Sequence, residues 1–257
     1  MARIIDRGPV ALGTVGDPDT ITSWAKYTVD YNAKLSEAQS AVAGHKTKLH
    51  AVSGWTGSIE TEVPLIGHHA TTPAALSIGS WAGLHFIDWS LTVEADILEA
   101  TGGTDEWQEF CVLNYQWSVE ARKWQADDSL DVFKALLETQ SGSTHAAVAF
   151  ASPYGSGNVL LERNSIEAGL SPAQESLTCQ GAGALTSADP YIAMLLAQVT
   201  ESVSSGVATA LEMETQRGRG TCYVKSINYS VPSMEKITAK VDLQGVGVWP
   251  IAEEQGD

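Results

Sequence analysis

Basic residues are scarce in this sequence. Fifteen Lys and Arg stand against 31 Asp and Glu, giving a formal net charge of −16. Gripping nucleic acid by its phosphates takes a dense basic patch, and basic runs such as Arg122-Lys123 and Arg217-Gly218-Arg219 are short. The balance argues against a DNA-gripping role. Cysteine is scarce as well. Cys111, Cys179 and Cys222 form an odd set without a CxxC, each inside an apolar strand pattern. They are expected to be buried free thiols in a reducing compartment. Long apolar runs are missing: Ala146–Ala151 and Ile192–Ala197 are far too short to span a bilayer. The opening Met1-Ala-Arg-Ile-Ile-Asp-Arg has no apolar h-region, so no secretory signal is expected.

Catalytic motifs are missing too. No GxSxG occurs, and Ser156 lies in a short turn with nothing to activate it. His68-His69 has no Cys, Asp or Glu nearby at ligand spacing, and neighbouring side chains on an extended segment point apart, so loop histidines are expected. The acidic pairs Asp105-Glu106, Asp127-Asp128 and Glu253-Glu254 could serve a glycosidase but sit in loops or at the tail. Gly181-Ala-Gly183 and Gly245-Val-Gly247 follow strands as in dinucleotide folds, but too little chain follows Gly245 for a helix and second strand. No catalytic residue, cofactor or metal is expected.

What is present reads as β structure. Hydrophobic residues make up 44% of the 257 and charged residues 18%, enough for a sizeable core. Eight Trp and 23 Gly suit strands joined by tight turns. In Val112–Trp124, Leu113, Tyr115, Trp117, Val119 and Ala121 alternate with Asn114, Gln116, Ser118, Glu120 and Arg122. Period two means one buried and one wet face. Ile87, Trp89, Leu91, Val93 and Ala95 alternate likewise, and Thr101–Glu106 between them reads as a loop.

A helix follows, with N-cap candidates Asp127, Asp128 and Ser129, an apolar face of Leu130, Phe133, Leu136 and Leu137, and a stop at Gly142. Strands are expected over His145–Ala151 and Val159–Ile166, around the turn Pro153–Gly157, and over Glu175–Cys179. The same order then recurs. Asp189-Pro190 opens a helix with Tyr191, Met194, Leu195 and Val199 on one face. A strand around Val207–Met213, a turn at Gly218–Gly220, and the strands Thr221–Val231 and Ile237–Leu243 follow. In Thr221–Val231 the expected inward set is Tyr223, Ile227, Tyr229 and Val231.

Both passages close on Gln-Gly-x-Gly, at Gln180 and Gln244. The front halves echo each other more faintly, through Trp24 and Trp55 against Trp89 and Trp117. The order front, front, back, back is that of one copy inserted in another. The expected division is an inner unit at 84–188, an outer unit at 1–63 plus 189–257, and a connecting segment at 64–83.

The inner unit resembles the tail tube (major tail) proteins of long-tailed phages. The resemblance is carried by Ile87-Asp-Trp-Ser-Leu-Thr-Val, Thr104-Asp-Glu-Trp-Gln-Glu-Phe, Tyr115-Gln-Trp-Ser-Val-Glu, Ser129–Glu138, Val159–Ile166 and Gln180-Gly-Ala-Gly-Ala-Leu185. The outer unit matches through Val231–Gly247. It covers most of 84–188 and 206–249, while residues 1–83 match poorly. It implies a mainly β fold: two tail-tube-like β-sandwich or open-barrel units, each with a flanking helix.

The resemblance further implies self-assembly into rings stacked as a hollow tube in a virion tail, made in the host cytoplasm, beside other tail proteins. DNA would pass the lumen without specific binding, which suits a negative wall, since like charges repel over ~8–10 Å. No membrane partner is implied. Two units per chain would allow a three-fold ring with pseudo-six-fold appearance, or a hexamer. The same fold serves tail terminators and distal tail proteins. A soluble β-sandwich binding module, for carbohydrate or protein, and a remote hydrolase are the readings from other classes. Within the tube reading, the loop residues Thr101, Gly102, Gly103, Thr104 and Asp105 are candidates to reach a neighbouring ring. Trp107 and Trp124, at element ends, are candidate subunit contacts.

Overall fold

The computed structural model describes residues 8–21, 24–39, 46–62, 76–79, 81–82, 86–101, 107–124, 147–167, 173–232 and 236–249; side chains at 33–39, 46–52 and 81–82 are not described. The described chain is mainly β, with one helix among the described residues. Its strands are β1 (Val10–Thr14), β2 (Asp17–Ile21), β3 (Trp24–Gln39), β4 (Lys46–Glu62), β5 (Ser77–Ile78), β6 (Trp81–Ala82) and β7 (Phe86–Glu99). They continue as β8 (Phe110–Trp124), β9 (Val148–Ser152), β10 (Gly155–Glu167), β11 (Gln174–Gly181), β12 (Leu211–Thr215), β13 (Gly218–Pro232) and β14 (Thr238–Val246). The helix α1 spans Pro190–Ser205, between β11 and β12. The helix expected at 129–138 lies outside the described residues.

All strand-to-strand pairings among the described residues are antiparallel, and they fall into two runs of seven strands with the same order. One run is β2-β1-β12-β13-β14-β4-β3; the other is β6-β5-β9-β10-β11-β8-β7. Among the described strands, one strand-to-strand joint, β13 beside β7, connects them. The agreement extends to irregularities. The β10–β11 ladder slips between Leu161 and Arg163, and the β13–β14 ladder slips between Val224 and Ser226. The β3–β4 ladder slips at Trp24/Lys26 and Lys34/Leu35, and the β7–β8 ladder at Phe86/Asp88 and Asp96/Ile97. A bulge inserts one residue and re-aims every side chain beyond it, so two strands sharing a bulge share their facing pattern on both sides of it.

The bulge at Val224 corrects one expectation. Simple alternation groups Tyr223 with Ile227, Tyr229 and Val231. The extra residue changes the phase, so Cys222 and Val224 join Ile227, Tyr229 and Val231 on the core face, while Tyr223, out of that phase, is buried as well. Another correction concerns the front halves. The matching slips place Trp24 where Phe86 stands, and Tyr27 where Trp89 stands, so Trp24 is not the counterpart of Trp89. The strand expected around Val207 begins at Leu211, because Gly206 (φ 78) caps the helix and residues 207–210 form the passage out of it. The hairpin β5–β6 lies within 64–83 and adds to β9 as β1–β2 adds to β12.

Each run curls back on itself around an aromatic. Trp117 on β8 packs against Phe150 on β9, with ring centroids 5.5 Å apart. Trp55 on β4 meets Trp249 edge-on at 4.7 Å. The first glycine of each Gln-Gly-x-Gly, Gly181 or Gly245, lies flat under that run's indole, where a methyl group would overlap the ring. The second, Gly183 (φ +94) or Gly247 (φ +68), turns the chain through the left-handed region that favours glycine. The recurring motif is therefore a seat for tryptophan followed by a turn. Trp117 Nε1 closes it by donating to the Gly183 carbonyl at 3.0 Å.

Candidate assembly edges

Sheet order decides which edges are left open. Along β13, β14 occupies one edge, while the other is shared: β12 pairs Gly218–Cys222 and β7 pairs Ser226–Pro232. β10 holds the corresponding place in the second run. β11 occupies one edge and β9 pairs Gly155–Val159 on the other. Beyond β9, no strand among the described residues lies along Arg163–Glu167 on that edge. Similarly, β7 lies between β8 and β13, whereas its counterpart β3 pairs only with β4 among the described residues. Among the described strands, the chain makes the joint once and keeps one further copy of each of its halves at an open edge, while β2 and β6, each paired with one strand, are edges as well.

Burial follows. Trp89, Leu91 and Val93 of β7 and Ile227, Tyr229 and Val231 of β13 are buried at the joint. Their counterparts are not. Tyr31 on β3 is 55% exposed and Ile166 on β10 is 44% exposed, against 0% for both Val93 and Tyr229. An open trough of about 850 Å³ runs along β3, lined by Trp24, Tyr27, Val29 and Tyr31 with Arg217 and Trp249 across from them.

Helix α1 covers the made joint. Ile192, Leu195, Gln198 and Val199 are its buried face, and Ser202 Oγ donates to the Val112 carbonyl of β8. Asp189 caps it, accepting from Tyr191 N at 3.0 Å and Ile192 N at 3.1 Å. Burial raises the Asp189 carboxyl above the usual range, and the nearby Tyr229 hydroxyl and the two amide hydrogen bonds oppose that rise. Tyr154, from the β9–β10 turn, stacks on Tyr229 at 4.2 Å and tilts against Trp89 at 6.0 Å. Burial, helped by the Asp189 charge, pushes the Tyr154 phenol up to about 12. These aromatics weld the two runs at the joint.

The other face of the sheet is polar. Ser90, Thr92 and Glu94 on β7, Ser118, Glu120 and Arg122 on β8, and Ser226, Asn228 and Ser230 on β13 all point there. Two of its basic groups are tied to neighbours: Arg122 forks onto Asp88, and Lys240 Nζ lies 2.9 Å from Asp242. Asn228 Nδ2 donates to Thr92 Oγ1 at 2.7 Å directly across the joint. A shallow hollow of about 410 Å³ opens on this face over β7, β8, β11 and β13.

Thr101 is half-buried at the base of its loop. Its hydroxyl donates to Glu99 Oε1 at 3.2 Å and accepts from Glu109 N at 3.1 Å. Gly102, Gly103, Thr104 and Asp105 lie outside the described residues. Trp107 forms a backbone bridge with Ser53, next to a bond from Gln108 N to the Ser53 carbonyl at 2.8 Å. That bridge ties the end of the loop to β4 of the same chain. Trp124 ends β8 and is 44% exposed. The structure thus brings Thr101 and Trp107 to one end of the sheet and leaves Trp124 at the end of a strand.

Sequence reading missed the β3 and β10 edges. Tyr27, Val29 and Tyr31 alternate visibly, but alternation cannot tell a strand with two neighbours from one with a single neighbour. His68-His69 and the three acidic pairs lie outside the described residues. Among the described residues, no cluster of three His, Cys, Asp or Glu could hold a metal, and no helix is long and apolar enough to cross a membrane. Cys179 and Cys222 are buried, and burial pushes the Cys179 thiol up to about 11 and that of Cys222 higher still.

No protein-family model matches the chain, and no curated protein does. Among solved structures, it is similar to a chain of the virion of a native gene transfer agent (GTA) particle (TM-score 0.25, 11% identity, 74% of this chain and 100% of that one). It is also similar to a chain of the tail of an empty GTA particle with C6 symmetry (TM-score 0.23, 11% identity, 73% of this chain and 100% of that one).

Proposed function

We propose that this protein is a structural subunit of a virion tail, and that it self-assembles into rings which stack as a hollow tube for genome delivery. One observation carries the reading: the chain contains the same seven-strand order twice, joined by one strand-to-strand joint, and leaves both halves of that joint open at its edges. Open edges invite pairing with another chain, and an assembly that closes on itself removes them. In this reading the two runs are tube-type units, an inner one around 84–188 to which the hairpin β5–β6 of the connecting segment adds, and an outer one at 1–63 plus 189–257. Three chains would then give a ring with pseudo-six-fold appearance.

The lumen wall is the polar face. Its short hydroxyls and acidic groups, with a net charge of −16 on the chain, repel a phosphate backbone and offer it no basic grip. The Thr101–Asp105 loop, Trp107 and Trp124 are proposed contacts to neighbouring subunits. Negative-stain electron microscopy of the purified chain tests the reading. Rings or hollow tubes are expected, and a chain that stays monomeric at high concentration overturns it. Normal tubes from a chain lacking 101–105 would remove the loop's role alone.

A further inference from the structure

We infer that copies of this chain join by laying β3 of one beside the Arg163–Glu167 part of β10 of the next, in the register that β7 and β13 already use within the chain. The inference rests on the ring-forming reading above and names the surfaces that make the ring. The template is the internal joint, where Ser226 pairs with Glu94, Ile227 with Val93, Asn228 with Thr92 and Tyr229 with Leu91. The shared slip positions carry that register across. Arg163 corresponds to Ser226, because each follows its ladder's slip, and Lys26 corresponds to Asp88 for the same reason. Between chains, Arg163 then faces Asn32, Asn164 faces Tyr31, Ser165 faces Asp30, Ile166 faces Val29 and Glu167 faces Thr28.

Chemistry on both faces agrees with this register. On the core side, Ile166 and Tyr31, exposed in the single chain, come under the cover that Tyr229 and Val93 already have at the internal joint. The trough along β3 is where the neighbour's apolar side chains lodge, with Arg217 at the place that Tyr154 fills inside the chain. On the polar side, Asp30 faces Ser165 between Arg163 and Glu167, and Lys26 lies on the far side of Glu167. Asp30 is diagonal to Arg163 as well as to Glu167, and Lys26 is diagonal to Glu167, so each acidic group of the new ladder has a basic group within diagonal reach. The contact is heterologous: β3 of each chain meets β10 of the next. Repetition therefore closes a ring or runs on as a filament, and does not stop at a dimer.

Cross-linking tests it in the full chain with Cys111→Ser in the background. Asp30→Cys with Ser165→Cys takes the places of Thr92 and Asn228, whose side chains touch at the internal joint. Mild oxidation should give a ladder of covalent multimers on a non-reducing gel. Moving one cysteine by a single residue, to Ile166→Cys, points it to the opposite face and should lower the yield at least tenfold. Equal yields from both pairs overturn the register. Rings by microscopy without the Asp30–Ser165 cross-link overturn the joint and leave the ring-forming role standing. A monomeric parent chain overturns both. Ile166→Asp changes a side chain exposed in the single chain, so its circular dichroism and melting should match the parent while assembly needs at least tenfold more protein. Unchanged assembly counts against the joint.

Discussion

Gly181 and Gly245 hold tryptophan against backbone, and nothing larger fits. Gly181→Val or Gly245→Val forces the indole of Trp117 or Trp55 out of its seat, an overpacking cost of about 1–3 kcal/mol. The expected result is a lower urea midpoint with an unchanged slope. A midpoint equal to the parent's would show that the indole moves freely. Another residue-scale test uses the difference between the two runs. Lys123 Nζ lies 3.1 Å from Glu175 with both side chains almost fully buried, and Asn164 Nδ2 donates to Glu175 at 2.7 Å. The matching places in the other run are Thr61, Ala239 and Ile227. Glu175→Ala alone leaves a buried ammonium and should cost about 3–5 kcal/mol. The triple change Lys123→Thr, Asn164→Ile, Glu175→Ala copies the other run, and its urea midpoint should equal or exceed the parent's. A triple variant as unstable as Glu175→Ala would deny that the two sites are equivalent.

At the scale of elements, α1 shows how local signals and tertiary placement combine. Asp189, Pro190 and Gly206 mark its start and stop, and the structure uses each in that way. What it covers is not written locally. Its buried face sits over strands from both runs, and its cap carboxyl is buried beside Tyr229. Asp189→Ala should cost about 1 kcal/mol through the lost cap, whereas Asp189→Asn keeps the acceptor. The folded Asp189 carboxyl is raised, so its contribution is fully present below the ordinary carboxyl range and is lost as pH rises through the raised value. Unfolding followed from pH 3 to 7 should therefore show this loss in the parent and not in Asp189→Asn; parallel profiles would contradict the burial argument.

The same limit governed the other elements. Period-two alternation placed most strands. It misses the change of phase after Tyr223, which is buried but out of step with Ile227, because a bulge is not visible in a hydrophobic pattern; Trp24 is misaligned because tryptophan spacing is a poorer guide than ladder slips. The open edges of β3 and β10 escaped it altogether. An edge strand and an interior strand bury the same face, and only the pairing order separates them.

At the scale of the whole molecule, the joint between β7 and β13 has a chemistry that β3 and β10 can repeat. Burying a side chain such as Ile166 contributes about 1.5–3 kcal/mol, and the Arg163–Glu167 ladder adds backbone bonds to it. Each ring interface would combine both, so assembly should tolerate moderate salt and fail when the apolar stripe is charged. The mainly β fold and the repeated back half were legible in Gln180–Gly183 and Gln244–Gly247, where the glycines are required by geometry. The strands β1–β4 carry the same order as β5–β8, with Tyr27, Val29 and Tyr31 in place of Trp89, Leu91 and Val93, substitutions that keep a strand and erase a motif. The most direct test of two tube-type units in one chain is cryo-electron microscopy of tube cross-sections. The account predicts a hollow ring of three chains, each contributing two similar wall segments, with the Ser/Thr/Asp/Glu face turned inward. A ring of six chains, or particles without a lumen, would contradict it.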